Sequence, residues 1–129
     1  MEINPILFWN LILTLVIAPA FWTFRGLIAE VKRIDILVNN AAILVPGATI
    51  DFPERYFDRM FEILVKAPHH LCQLVLPQMI DNGEGGEILN ISSSAARHPK
   101  PDQQSYDGAV YGMAKAAIER FTTGLASEM

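Results

Sequence analysis

The sequence predicts the α/β class, a parallel sheet with helices packed on its faces. Two observations predict it. The runs "IDILV" at 34–38 and "EILNIS" at 87–92 are close to continuously apolar, as strands buried on both faces are. Helical apolar spacing precedes, separates and follows them, and a parallel pair needs such a crossover because a tight hairpin returns the chain in the opposite direction. With 129 residues, 51% of them apolar, the chain has material for one core and too little for two ordinary domains.

Taken in order, the chain opens on "ILFWNLILTLVIAPAFWTF", residues 6–24, which carries no charge and has about the length that spans a hydrocarbon core. Two readings stay open for it. One is a membrane helix, against which Asn10 and Pro19 stand; the other is a buried strand, which "LILTLVIA" alone would suit. No Lys or Arg precedes the run, which argues against a secretory signal peptide. Residues 1–24 are therefore set apart as an apolar lead-in from the remainder, 25–129.

Phe24, Leu27, Ile28 and Val31 recur at helical spacing and lead into the first strand. "NNAA" and a loop with Pro46 and Gly47 follow, and then Asp51 and Glu54, three apart, predict a capping box. It opens a long helix through Phe57, Phe61, Leu64 and Val65, which Pro68 and Pro77 should kink or divide before "DNGEGG" ends it. The second strand comes next. "SSAARHPKPDQQSYDG" then reads as loop, and a helix runs from about Ala109 to the end.

Composition excludes some functions. The net charge is −4 and the ten basic residues are scattered, so nucleic acid is not an expected partner. The single cysteine, Cys72, cannot close an internal disulfide and sits within an apolar helical pattern, as a small buried hydrophobe does. A reducing, cytoplasmic setting fits. Under the membrane reading, Arg25, Lys32 and Arg33 would keep the following portion on the cytoplasmic side. His69 and His70 are adjacent and diverge by about 100° on a helix, so no shared metal is expected.

Chemistry in parallel sheets gathers at the carboxyl ends of strands, which here means Asn39, Asn40 and Ala41 after the first and Ser92, Ser93 and Ser94 after the second. Each has a bland reading as a turn former or loop hydroxyl. In the last helix, Tyr111 and Lys115 stand four apart on one face. A tyrosine hydroxyl works in acid–base chemistry at neutral pH only if its pKa of about 10 falls by about three units, about 4 kcal/mol. A cation about 4 Å away supplies that at an effective dielectric near 20. A strand-end hydroxyl opposite would give a reacting oxygen a second hydrogen bond.

"IDILVNNAA", "GGEILNISSSAA" and "YGMAKAAIERFTTGLASE" resemble the short-chain dehydrogenase/reductase family over roughly residues 24–129. The resemblance implies a partial Rossmann-like sheet, with 25–129 as the catalytic middle of the domain. It places Asn39 and Ala41 beside the cofactor, with Ala42 in a glycine's place. It makes Ser93 the substrate-orienting serine, with Ser94 the near alternative, Tyr111 the proton exchanger, and Lys115 the residue that tunes the tyrosine and holds the nicotinamide ribose. The implied reaction is hydride transfer between NAD or NADP and a small alcohol or carbonyl. A homo-oligomer is implied too, through Met60, Phe61, Leu74, Phe121 and Leu125, which serve equally well as intramolecular core.

Three departures qualify the resemblance. Leu64 stands where the family carries an asparagine that helps hold a relay water, and the Ser93–Tyr111 loop is long. No glycine-rich turn between strand and helix precedes Ile34, where Gly26 is the one glycine, and the last helix ends the chain before the family's later strand and substrate-covering segment. A second reading therefore stands beside the oxidoreductase: a non-catalytic remnant or interaction module, membrane-attached if 6–24 is a span.

Overall fold

The computed structural model describes residues 21–98 and 108–129. The chain forms two compact units, Met1–Ala41 with His69–Leu89, and Ala42–Pro68 with Asn90–Met129. The readings made for residues 6–20 lie outside the described residues. Among those described, no helix is long and apolar enough to cross a membrane.

In the first unit, α1 (Phe21–Glu30) starts inside the apolar lead-in and leads to β1 (Ile36–Asn39). The later helix α3 (Ala67–Asp81) leads to β2 (Glu87–Asn90), and β1 and β2 form a parallel two-stranded sheet. Leu71, Val75 and Met79 recur every four residues on α3 and close with Ile28, Ile34 and Leu37 into a buried core. The Gln78 side chain donates to the Ile28 carbonyl (3.0 Å), which also accepts the Val31 N–H (3.2 Å), and to the Val31 carbonyl (3.4 Å) just past the end of α1. Gly83 and Gly85 take φ of 74° and 76°, the left-handed turn that ends α3. At Gly86 a Cβ would stand 2.6 Å from the Met79 side chain and 3.1 Å from Asp35 O, so a larger residue there would displace Met79, and Glu87 N–H then joins the Asp35 carbonyl at 2.8 Å.

Cys72 is buried in this core, as its apolar surroundings in sequence predict. Burial pushes its thiol up to about 11, with the Asn39 side chain opposing the shift, so the sulfur carries almost no thiolate at neutral pH.

In the second unit, α2 (Glu54–Phe61) continues through a π turn, Glu62–Lys66, towards α3, and α4 (Ala109–Glu128) closes the chain. Met60, Leu64, Val110 and Ala114 are buried together, with Ile43, Val45, Phe52, Phe57, Phe61, Val65 and Tyr111 packed around them. Phe57 and Phe61, one turn apart, stack with centroids 4.7 Å apart. Met60 is fully buried inside the unit, so of the residues weighed as a dimer face it is intramolecular core.

Two sequence readings need correction here. The capping box does not form: Asp51 ends a short 3-10 turn, Thr49–Asp51, and Pro53 takes the position before α2 with φ −66° and no side-chain cap. Proline's fixed φ starts the helix by itself, and its carbonyl accepts from Tyr56 and Phe57. The predicted break at Pro68 arrives a turn early, as the π turn. Pro68 has no N–H to offer the Leu64 carbonyl, and Ala67 N–H bonds Glu62 O five residues back. Pro77 lies inside α3 without ending it.

Candidate active site

Of the candidate residues, Asn39 and Ala41 belong to the first unit and Ser93, Tyr111 and Lys115 to the second. In the first, Asn39 is buried at the end of β1, and Ala41 follows it, half-buried. In the second, the chain leaving β2 and the first half of α4 bring Ser93, Tyr111 and Lys115 into one unit.

Helix α4 begins where Gly108 passes the Gly47 backbone so closely that a Cβ would lie 2.8 Å from Gly47 O. That contact fixes the start of the helix, three residues before Tyr111. Val110 and Ala114 turn into the core beside Leu64, which leaves Tyr111 and Lys115 on the adjoining stripe. Lys115 is 4% exposed, and its Nζ donates to the Ile91 carbonyl at 2.7 Å. Nζ also lies 5.8 Å from the centroid of the Tyr111 ring, within cation–π range. Burial pushes the Lys115 ammonium below its usual range, since the low-dielectric surroundings disfavour the charged form.

Ser93 is half-buried and extended, with φ −150° and ψ 152°. Its Oγ accepts the Ala95 N–H at 3.2 Å and caps the 3-10 turn Ser94–Ala96. Accepting that bond fixes the side chain and leaves the O–H proton to donate elsewhere. Ser94, the near alternative, is exposed within the turn itself. On α4, a Cβ at Gly112 would come within 2.7 Å of Ala95 O, so the helix bearing Tyr111 and the turn after Ser93 meet backbone to backbone.

Sequence reading missed Ile91, whose contribution is a carbonyl that no residue letter announces. It also missed Gly112. The available signal there was a glycine inside a helix, which costs about 1 kcal/mol against alanine and so marks a close approach.

Leu64 is 2% exposed and packed against Val110 and Ala114, the neighbours of Tyr111 and Lys115. The position is dry. An open groove of about 470 Å³ lies elsewhere on α4, lined by Asn90, Ser92, Arg97, Glu119 and Thr122 among others, and holds none of Ser93, Tyr111 or Lys115.

A nicotinamide cofactor can be tested against these residues. Lys115 Nζ gives one of three N–H donors to Ile91 O, and two remain for ribose hydroxyls. The pyrophosphate end finds no match among the described residues: Gly26 lies within α1, and Gly83 and Gly85 precede β2 and do not follow a strand. The residues present fit the nicotinamide end.

A family profile described as short chain dehydrogenase matches residues 21–129. The chain belongs to the short chain dehydrogenase family. Among its relatives, a short chain dehydrogenase of Pseudocercospora fijiensis is 38% identical over 103 residues, covering 78% of this chain and 31% of the relative. Carbonyl reductase (NADPH) 2 of Sus scrofa is 31% identical over 99 residues, covering 77% of this chain and 38% of that protein. Two solved structures agree with this chain in fold. Acetoin dehydrogenase YohF from Salmonella typhimurium matches with a TM-score of 0.75 and 32% identity, over 88% of this chain and 43% of that one. A metagenomic short-chain oxidoreductase in complex with NADP matches with a TM-score of 0.72 and 32% identity, over 84% and 48% respectively. The chain thus spans about a third of the curated relatives' length and under half of the solved chains.

Proposed function

We propose that the chain is the catalytic portion of an NAD(P)-dependent oxidoreductase acting on a small alcohol or carbonyl substrate. The observation that carries the reading is the buried Lys115 ammonium, held by the Ile91 carbonyl against the ring of Tyr111 one turn before it. A buried ammonium tied to a backbone carbonyl has little structural purpose, because an apolar residue there would avoid the desolvation cost. Beside Tyr111, the same charge stands next to the side chain that would exchange the proton.

In this reading each side chain has one task. When bound, the nicotinamide supplies or accepts the hydride at the substrate carbon. In the reductive direction, Tyr111 Oη gives its proton to the substrate oxygen as charge gathers there, and in the oxidative direction it takes that proton back. Ser93 Oγ donates a hydrogen bond to the same oxygen, preorganised by the Ala95 N–H it accepts. Lys115 keeps its charge beside the Tyr111 ring and would bind the ribose with its two remaining donors. Asn39 and Ala41, by their resemblance to the family, belong beside the cofactor. The relative named as an NADPH carbonyl reductase and the solved NADP complex support a nicotinamide cofactor for this chain.

Turnover of the purified chain tests the reading. With NADH or NADPH and a panel of small aldehydes and ketones, absorbance at the nicotinamide band should fall in proportion to enzyme and only when a carbonyl is present. A folded chain that oxidises neither cofactor with any member of the panel overturns it.

A further inference from the structure

The chain leaving β2 is tied to α4 at successive residues. Asn90 Nδ2 donates to Thr122 Oγ1 at 2.9 Å, Lys115 Nζ to Ile91 O at 2.7 Å, and Ser92 Oγ to Glu119 Oε1 at 2.8 Å. Beyond Ser93, Arg97 Nε donates to the other carboxylate oxygen, Glu119 Oε2, also at 2.8 Å. Lys115, Glu119 and Thr122 lie at i, i+4 and i+7, one stripe of the helix. Glu119 differs from the other two in holding both flanks of the turn at once. One of its oxygens takes the residue immediately before Ser93, and the other takes the residue four positions after it.

The geometry points to Glu119 as a positioning residue, a clamp that fixes the Ser93 hydroxyl over the Tyr111 end of α4 by gripping Ser92 and Arg97 together. A carboxylate suits this task because its two oxygens accept in different directions, and bonds from a guanidinium to a carboxylate are the stronger kind. The Ser92–Arg97 segment otherwise closes on itself through short local bonds: Ala95 N–H to Ser93 Oγ, Ala96 N–H to Ser93 O, and Arg97 N–H to Ser94 O. Such a turn keeps its own shape but does not fix where it sits. The clamp fixes where it sits, together with the close approach of Gly112 to Ala95. Glu119 touches neither substrate nor cofactor in this account. The inference rests on the proposed role of Ser93.

The amide of Ala95 reports on the clamp directly, because its hydrogen bond ends on Ser93 Oγ. Hydrogen exchange is measured by NMR on the full chain for Glu119→Ala, Glu119→Gln and Arg97→Ala, with turnover measured on the same samples. Losing a charge-assisted bond corresponds to about tenfold in an opening equilibrium, so the Ala95 and Ala96 amides should exchange about tenfold faster in Glu119→Ala. Glu119→Gln keeps one acceptor oxygen and should fall between. The same factor should appear as a loss of kcat, with KM nearly unchanged, since the substrate's grip on other groups is untouched. Arg97 is exposed, so Arg97→Ala carries the test even if Glu119→Ala does not fold. Unchanged Ala95 and Ala96 exchange in a folded variant lacking the Arg97 contact overturns the clamp, whatever happens to turnover. Faster exchange in a chain that shows no turnover even as wild type upholds the clamp and removes the catalytic reading instead.

Discussion

Replacing Tyr111 with phenylalanine should lower kcat/KM by about 10²–10⁴-fold, the range that general acid–base catalysis contributes. That is about 3–5 kcal/mol of transition-state stabilisation carried by one oxygen atom. The substitution is clean in structural terms. The Tyr111 ring packs at the margin of the Met60–Leu64–Val110–Ala114 core and stays in phenylalanine, while no described residue hydrogen-bonds the hydroxyl, so its loss strands no partner. Circular dichroism and the urea midpoint should therefore be those of the wild type. A variant that unfolds would show the hydroxyl to be structural, and one that keeps full turnover would take Tyr111 out of the reaction.

Leu64→Asn should have the largest effect on stability, about 3–4 kcal/mol of destabilisation in urea unfolding. Leu64 is 2% exposed in the π turn, packed against Met60, Val110 and Ala114. Truncating a buried leucine costs about 2–5 kcal/mol, and a carboxamide placed there adds its desolvation unless it finds partners. Against a total stability of about 5–15 kcal/mol for a domain, that is a large fraction. The substitution restores the residue type that the family resemblance places here, so the opposite result has a definite meaning. A loss under about 1 kcal/mol together with raised turnover would show that the surroundings of Leu64 still accept a polar group, and that the position is not dry.

Much of the frame was legible in the sequence because each part rests on local pattern. The bursts at 34–38 and 87–92 contain most of β1 and all of β2, and α4 starts at Ala109 as its apolar spacing predicts. Tyr111 and Lys115 were legible because helical geometry alone puts i and i+4 together. What failed was where two local signals competed. Asp51 and Glu54 have capping-box spacing, but Pro53 between them sets its own backbone angle and starts α2 without a side-chain cap. Pro68 announces a break, yet the missing N–H is accommodated upstream, in the π turn around Leu64. Continuous apolar strands suggested burial on both faces, whereas Ile36, Leu89 and Ile91 are 40%, 44% and 43% exposed. The contacts that make the site specific were hidden for another reason. The Ile91 carbonyl is a backbone group, and the pairing of Glu119 with Ser92 and Arg97 joins residues more than twenty positions apart.

The most direct test of the central claim, that Lys115 and Tyr111 serve a nicotinamide cofactor, is a fluorescence titration of NADH and NADPH against the folded chain and against Lys115→Met. The wild type should bind at least one cofactor saturably, and binding should weaken at least about tenfold in Lys115→Met, as removal of a charged hydrogen-bond donor implies. A folded wild-type chain that binds neither cofactor at millimolar concentration, or a Lys115→Met variant that binds as tightly as the wild type, would contradict the claim.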